Sequence, residues 1–216
     1  MQYFSFLSKE VNNVRAENKL MELDINDVCD MSLKLAQKVQ EKPDLVVFVA
    51  KGAYLIGITV AEHFQVPVME VEAVRSGNSL KKLLKPMLVV LPAGLKLWLR
   101  KKEINSGTHT HNTERHVSIS NPSKVENDKV HNILLVDDSV DTGNTILAVK
   151  KALQKEFSQA NIITASLVVF EASKDLVNID YTMYEDTIFS APWSNDSIYK
   201  KEYMVQYSKM KSEGVF

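Results

Sequence analysis

Residues 133–145 read Ile133-Leu134-Leu135-Val136-Asp137-Asp138-Ser139-Val140-Asp141-Thr142-Gly143-Asn144-Thr145, and the order of residue types along them decides the fold class. The first four are apolar and largely branched, as a strand covered on both faces of a parallel sheet must be. Two adjacent carboxylates follow, at the strand end where open α/β sheets bind their ligands. Asp141, Thr142, Gly143, Asn144 and Thr145 then make a short hydroxyl-rich loop. Beyond it Ile146-Leu147-Ala148-Val149-Lys150-Lys151-Ala152-Leu153 has helical spacing and predicts a helix over 146–157. A helix start built from small residues exposes backbone N–H groups, and these together with the helix dipole attract an anion. The hydroxyls of Thr142 and Thr145 can donate to that anion, and Gly143 lets the backbone approach it closely. Carboxylates do not hold phosphate, so Asp137 and Asp138 are suited instead to sugar hydroxyls. The pattern implies a phosphorylated sugar, and the two negative charges call for a divalent cation, Mg²⁺, shared with that ligand.

From 133 to 145 every position fits the signature of the type I phosphoribosyltransferases, enzymes that use phosphoribosyl pyrophosphate (PRPP), and the chain is similar to them there. The resemblance implies that Asp137 and Asp138 bind the 2- and 3-hydroxyls of the ribose. Any contact of these acids with the metal would then be mostly indirect, through those hydroxyls. It implies further that Asp141, Thr142, Gly143, Asn144 and Thr145 hold the 5-phosphate. Asp141 also stands where 6-oxopurine members keep an acid close to the purine N7, which implies a general acid/base role. The alternative is that Asp141 or Thr142 caps the helix, and capping is expected in addition. Two rival motifs fail: no Gly-x-x-x-x-Gly-Lys-Ser/Thr occurs, and Asp138 and Asp141 lie three apart, not the two that haloacid dehalogenase-type phosphatases need.

A second strand, Leu45-Val46-Val47-Phe48-Val49-Ala50, runs into Lys51-Gly52-Ala53-Tyr54-Leu55-Ile56-Gly57, again strand, glycine turn and helix. It resembles the pyrophosphate loop of the hypoxanthine-guanine branch, where N–H groups of a Lys-Gly pair bind pyrophosphate. Lys51 and Gly52 match that pair, while Ala53 replaces the usual next glycine. The strand over 66–74 ends in Arg75-Ser76-Gly77, where family members carry a basic residue and a Ser opening a mobile loop. Arg75 is thereby implied to neutralise pyrophosphate charge as it departs; the other reading is a solvated Arg at a strand end. The acceptor side departs from the pattern. Phe170 occupies the place of a Lys that reads the purine 6-oxo group, and Pro192-Trp193 resembles the ending of several bacterial purine-type members. Phe189 or Trp193 is then a candidate to stack on a planar base, and either is equally a core residue.

Alternating strands (45–50, 66–74, 115–119, 133–136, 162–170, 187–189) and helices (26–40, 55–64, 146–157) predict an α/β fold. We expect an open parallel sheet with helices on both faces, in one domain over 1–216, with a small C-terminal hood. The polar stretch 196–211 reads as a surface helix. Between 78 and 113, leucines mix with lysines around Pro92 and Trp98, an apolar and basic insertion expected to be helical. Packing or a homodimer contact is its first reading, and peripheral membrane contact its second. His109, His111 and His116 lack Cys or carboxylate partners at metal-site spacing and read as exposed loop residues. A net charge of −1 argues against nonspecific nucleic-acid binding. One cysteine, Cys29, excludes an internal disulfide framework and is expected to face the core, and the first residues lack a signal-peptide pattern, so the expected location is cytoplasmic. The function implied by the resemblance is transfer of the phosphoribosyl group of PRPP to an acceptor, foremost a purine-type nucleobase, with release of pyrophosphate. A non-catalytic PRPP-binding regulatory module and transfer to a lipid or glycan acceptor are the alternatives.

Overall fold

The computed structural model describes residues 21–75, 115–120, 125–195 and 197–216. The expected insertion at 78–113, with His109 and His111, lies outside them. In chain order the elements are β1 (Met21–Glu22), α1 (Ile25–Lys38), β2 (Leu45–Val49), α2 (Tyr54–Phe64), β3 (Val68–Arg75), β4 (Arg115–Ile119), β5 (Asn132–Val140), α3 (Asn144–Glu156), β6 (Asn161–Val169), β7 (Tyr181–Glu185), β8 (Phe189–Ser190) and α4 (Lys200–Ser212).

Strands β2 and β5 are buried along almost their whole apolar length, and successive side chains enter opposite cores. Val46, Phe48, Leu134 and Val136 face a cluster shared with Val28 and Leu35 of α1, Ile56 and Val60 of α2, and Tyr203 and Tyr207 of α4. Leu45, Val47, Ile133 and Leu135 face Ile146, Val149 and Leu153 of α3 on the other side. The expected open sheet with helices on both faces is therefore observed. α1 starts on a capping box, Asp24 accepting from the Asp27 amide at 2.8 Å while the Asp27 carboxylate accepts from the Asp24 amide at 2.9 Å.

The large sheet has the order β4-β3-β2-β5-β6-β7. From β2 the chain crosses through α2 to β3 on one side, and from β5 it crosses through α3 to β6 on the other. The strand order thus reverses between β2 and β5, whose parallel register pairs Phe48 with Val136. A crevice opens outside the carboxyl ends of strands at such a switch point. The segments that leave those two ends are 50–53 and 141–143.

Four features differ from the sequence reading. β4 runs antiparallel to β3, Ala73 pairing with Val117, where a parallel sheet was expected throughout. Its burial alternates between partly buried and exposed, His116 being exposed, as on a half-covered edge strand. β7 was not expected: its residues are only partly buried and include two tyrosines, Thr and Glu, so no apolar run marks it. The expected strand over 187–189 is the two-residue β8, which pairs in parallel with β1 outside the large sheet, Met21 against Phe189. The hood is therefore built from both ends of the described chain. α4 is not simply a surface helix, since Tyr203 and Tyr207 are buried in the core beneath it. Cys29 is partly buried and packs against the same core.

Candidate functional site

At the switch point β5 carries Asp137 and Asp138 while still paired with β6, Asp137 lying opposite Ser166. Asp137 is 5% exposed, and its Oδ1 accepts from the Asp138 amide at 3.0 Å. Burial, reinforced by the neighbouring Asp138 charge, holds the Asp137 carboxyl well above the usual carboxylate range. Burial also raises Asp138, against hydrogen bonds from Asp137 and Trp193 that favour its charged form. Two carboxyls so placed share a proton or bind something electropositive.

The loop after them ends at Gly143, whose φ of 75° places it in the left-handed region as the N-cap of α3. No side chain caps that helix, so the expected capping by Asp141 or Thr142 does not occur. The Thr142 hydroxyl instead accepts from the Asn144 side chain at 3.0 Å. A cavity of about 110 Å³ lies over this helix start, lined by Asp137, Ser139, Asp141, Thr142, Gly143 and Thr145 together with Arg115. Uncapped amides at a helix N-terminus, hydroxyls and a guanidinium make it chemically an oxyanion cradle. Arg115, on the antiparallel edge strand, is the residue that sequence reasoning missed. Its only signal was its place at the start of an alternating strand returning toward the site.

A Cβ built on Gly143 would lie 2.5 Å from Val177 Cγ2, in the segment that follows β6. Gly143→Ala must therefore adopt an unfavourable φ and displace Val177. We expect about 2–4 kcal/mol of destabilisation, read as a lower urea midpoint with an unchanged slope.

The loop 50–53 faces the acid pair. A cis peptide joins Ala50 to Lys51, and the Asp138 carboxylate lies against Gly52, where a built Cβ would stand 2.6 Å from its Cγ. The Lys51 ammonium is directed to the ring of Tyr207, 5.5 Å from its centroid, so what the loop offers the crevice is backbone.

Of the aromatic candidates, Trp193 lies near enough to Asp138 to favour its charged form, and its ring tilts against Tyr203 at 5.4 Å. Phe189 is half-buried and meets Tyr184 edge-to-face at 5.2 Å. Phe170 follows β6, its amide donating to the Val140 carbonyl at 3.0 Å, and its ring packs against the core. Arg75 ends β3 in register with Arg115. Among the described residues no group of three or more His, Cys, Asp or Glu gathers as a metal site, and no helix is long and apolar enough to cross a membrane.

The family model described as phosphoribosyl transferase domain matches residues 22–199. No curated protein matches the chain. Among solved structures it is similar to a purine phosphoribosyltransferase from Pyrococcus horikoshii (18% identity, covering 82% of this chain and 95% of that one, TM-score 0.52). It is also similar to the xanthine-guanine-hypoxanthine phosphoribosyltransferase of Helicobacter pylori (19%, 84% and 98%, TM-score 0.54). A hypothetical protein from Neisseria gonorrhoeae with bound ppGpp is comparable (16%, 88% and 96%, TM-score 0.54). At these identities the likeness is one of fold.

Proposed function

This chain belongs to the phosphoribosyl transferase domain family, and on that premise we propose that it transfers the 5-phosphoribosyl group of PRPP to a ring nitrogen of a purine-type base. The observation that carries this reading is the contact of Asp138 with Gly52 across the switch point. It brings the acid read as binding sugar hydroxyls directly beside the loop read as binding pyrophosphate, as a ligand carrying both requires.

In this reading the 5-phosphate occupies the cradle of Thr142, Gly143, Asn144 and Thr145 with Arg115, and the ribose hydroxyls donate to Asp137 and Asp138. The backbone of Lys51 and Gly52 faces pyrophosphate. The bond from ribose C1 to the pyrophosphate oxygen breaks as the bond from C1 to the base nitrogen forms. Pyrophosphate leaves with the bonding electron pair, and Asp141 is the group that accepts the proton lost by the base. The carboxylates stabilise the positive charge that develops on the sugar, while Arg75 is assigned to the departing charge.

Mg²⁺ fits the residues present. Asp137 and Asp138 are hard oxygen donors whose charged forms burial disfavours, so a nearby cation would favour them, and no third acid or His joins them among the described residues, so the ion would be shared with ligand oxygens. When bound it supplies neutralisation of pyrophosphate charge. For the acceptor, support comes from the likeness to the Pyrococcus purine phosphoribosyltransferase and the Helicobacter xanthine-guanine-hypoxanthine phosphoribosyltransferase. Phe170, at the carboxyl end of β6, is the proposed contact for the base, with Phe189 and Trp193 as secondary contacts.

The test is release of pyrophosphate from PRPP with Mg²⁺ against a panel of nucleobases. Turnover with a purine, and nucleotide as its co-product, is the expected result. PRPP that binds but reacts with no base would remove the nucleobase reading and redirect the screen to non-base acceptors.

A further inference from the structure

The family match ends at residue 199, and α4 begins at Lys200, yet this helix touches the site directly. Tyr203 is fully buried. Its hydroxyl stands 2.7 Å from the Lys51 carbonyl oxygen and 2.8 Å from that of Gly52, donating to the pair. Burial, aided by the nearby Asp138 charge, pushes its pKa up strongly, so the hydroxyl remains a donor at every working pH.

Fixing a carbonyl fixes the amide of the same planar peptide, which points the opposite way. The Ala53 amide already donates to the Val49 carbonyl at 3.2 Å. The amide whose direction Tyr203 determines is therefore that of Gly52, in the peptide whose carbonyl belongs to Lys51. The contact is part of a closed circuit. Tyr203 holds Gly52, Gly52 lies against the Asp138 carboxylate, Trp193 lies near enough to Asp138 to favour its charged form, and the Trp193 ring rests against Tyr203.

α4 itself is anchored from beneath. Glu70 of β3, fully buried, is bonded by the Tyr207 hydroxyl and the Lys211 ammonium. Lys211 also reaches Glu72 at 3.2 Å. Tyr54 stacks edge-on to Tyr203 and Tyr207 at 4.8 and 5.4 Å, and its hydroxyl meets Gln206 at 3.2 Å. A buried carboxylate bonded by two side chains of one helix fixes that helix in place, because withdrawing Lys211 would leave the buried charge of Glu70 without its counter-ion.

We infer that Tyr203 is a positioning residue for pyrophosphate: α4, lying beyond the family-matched region, sets the direction of the Gly52 amide and links the pyrophosphate loop to the sugar-binding acids. The inference rests on the reading of Lys51-Gly52 as the pyrophosphate loop. Tyr203→Phe keeps the ring and removes only the donor, and it is expected to fold with a melting temperature within a few degrees of wild type.

Titration with magnesium pyrophosphate and separately with ribose 5-phosphate reads the two halves of the site. The expected result is affinity for pyrophosphate about tenfold weaker in Tyr203→Phe, with ribose 5-phosphate within twofold of wild type, and a higher KM for PRPP with a lower kcat. Pyrophosphate affinity unchanged in the variant would overturn the inference and leave the function standing, with Tyr203 as core packing. Equal weakening of both ligands would overturn it as general loosening. Wild-type protein that binds ribose 5-phosphate but no pyrophosphate would overturn the loop assignment itself. In the folded wild type, a Gly52 amide resonance unmoved by pyrophosphate would also overturn it.

Discussion

Replacing Asp137 and Asp138 together with asparagine is expected to leave a protein that is harder to unfold at neutral pH and nearly unable to use PRPP. Both carboxyls titrate above their ordinary value because they are buried beside each other. A carboxyl whose folded pKa is raised binds its proton more tightly in the folded state than in the unfolded one. Its stability contribution is therefore fully present below the unfolded value, near 3.8, and is lost as pH rises through the folded value. The asparagine variant carries no such slope. Its melting temperature should match wild type near pH 4 and exceed it increasingly toward pH 8, by roughly 2–4 °C for each kcal/mol recovered. Asparagine keeps an oxygen for the Asp138 amide, so the local backbone bond survives. The same change removes two charge-assisted acceptors, each worth about 1.5–3 kcal/mol to a sugar hydroxyl. PRPP affinity and turnover should fall by roughly 10²–10⁴ together. Calorimetric titration with PRPP and melting curves across pH read the two effects, and PRPP affinity within a few-fold of wild type would remove the acids from the sugar site.

That pairing of lower stability with function explains why the site was legible before the fold was. Two carboxylates at the end of an apolar strand contradict the pattern that surrounds them, and such local contradictions gather at functional sites. β2 and β5 were readable for the complementary reason: nearly every position of Leu45–Val49 is buried, so composition alone marks it. β7 was not readable, since an edge strand with two partly buried tyrosines and a glutamate differs little in composition from a loop. α4 was misjudged because its lysines and Glu202 hide two buried tyrosines spaced one turn apart, Tyr203 and Tyr207. Periodicity could have found that pair. The nearness of Trp193 to Asp138 had no local signal and the place of Arg115 at the cavity only a faint one, because each depends on segments far apart in sequence meeting at one sheet edge. The sequence reading therefore reached the residues proposed for sugar and phosphate, and missed the side chains packed around them.

The second large effect is expected from the smallest change, Gly52→Ala. The added methyl would stand 2.6 Å from Asp138 Cγ and Oδ1 and 2.7 Å from Oδ2, inside any tolerable contact. A long side chain could swing away, but the short Asp138 side chain carries its carboxylate one carbon from the backbone and has little reach. The loop cannot easily retreat either, since Tyr203 holds the carbonyls of Lys51 and Gly52. Relief must come from moving a carboxylate or an amide that the proposed chemistry uses. Overpacking of this kind costs about 1–3 kcal/mol, and displacement of a reacting group by about 1 Å can cost on the order of 10²-fold in rate. Gly52→Ala should therefore unfold at a modestly lower denaturant concentration and lose at least about 100-fold in kcat/KM for PRPP. A double-mutant cycle isolates the cause. Asp138→Ala opens the space that the methyl needs, so Gly52→Ala should cost almost nothing further in stability when added to it, while turnover stays lost because the acid is gone. If the two stability losses simply add, the contact between Gly52 and Asp138 is not what constrains the loop, and the coupling of pyrophosphate site to sugar site across the β2/β5 switch point fails with it.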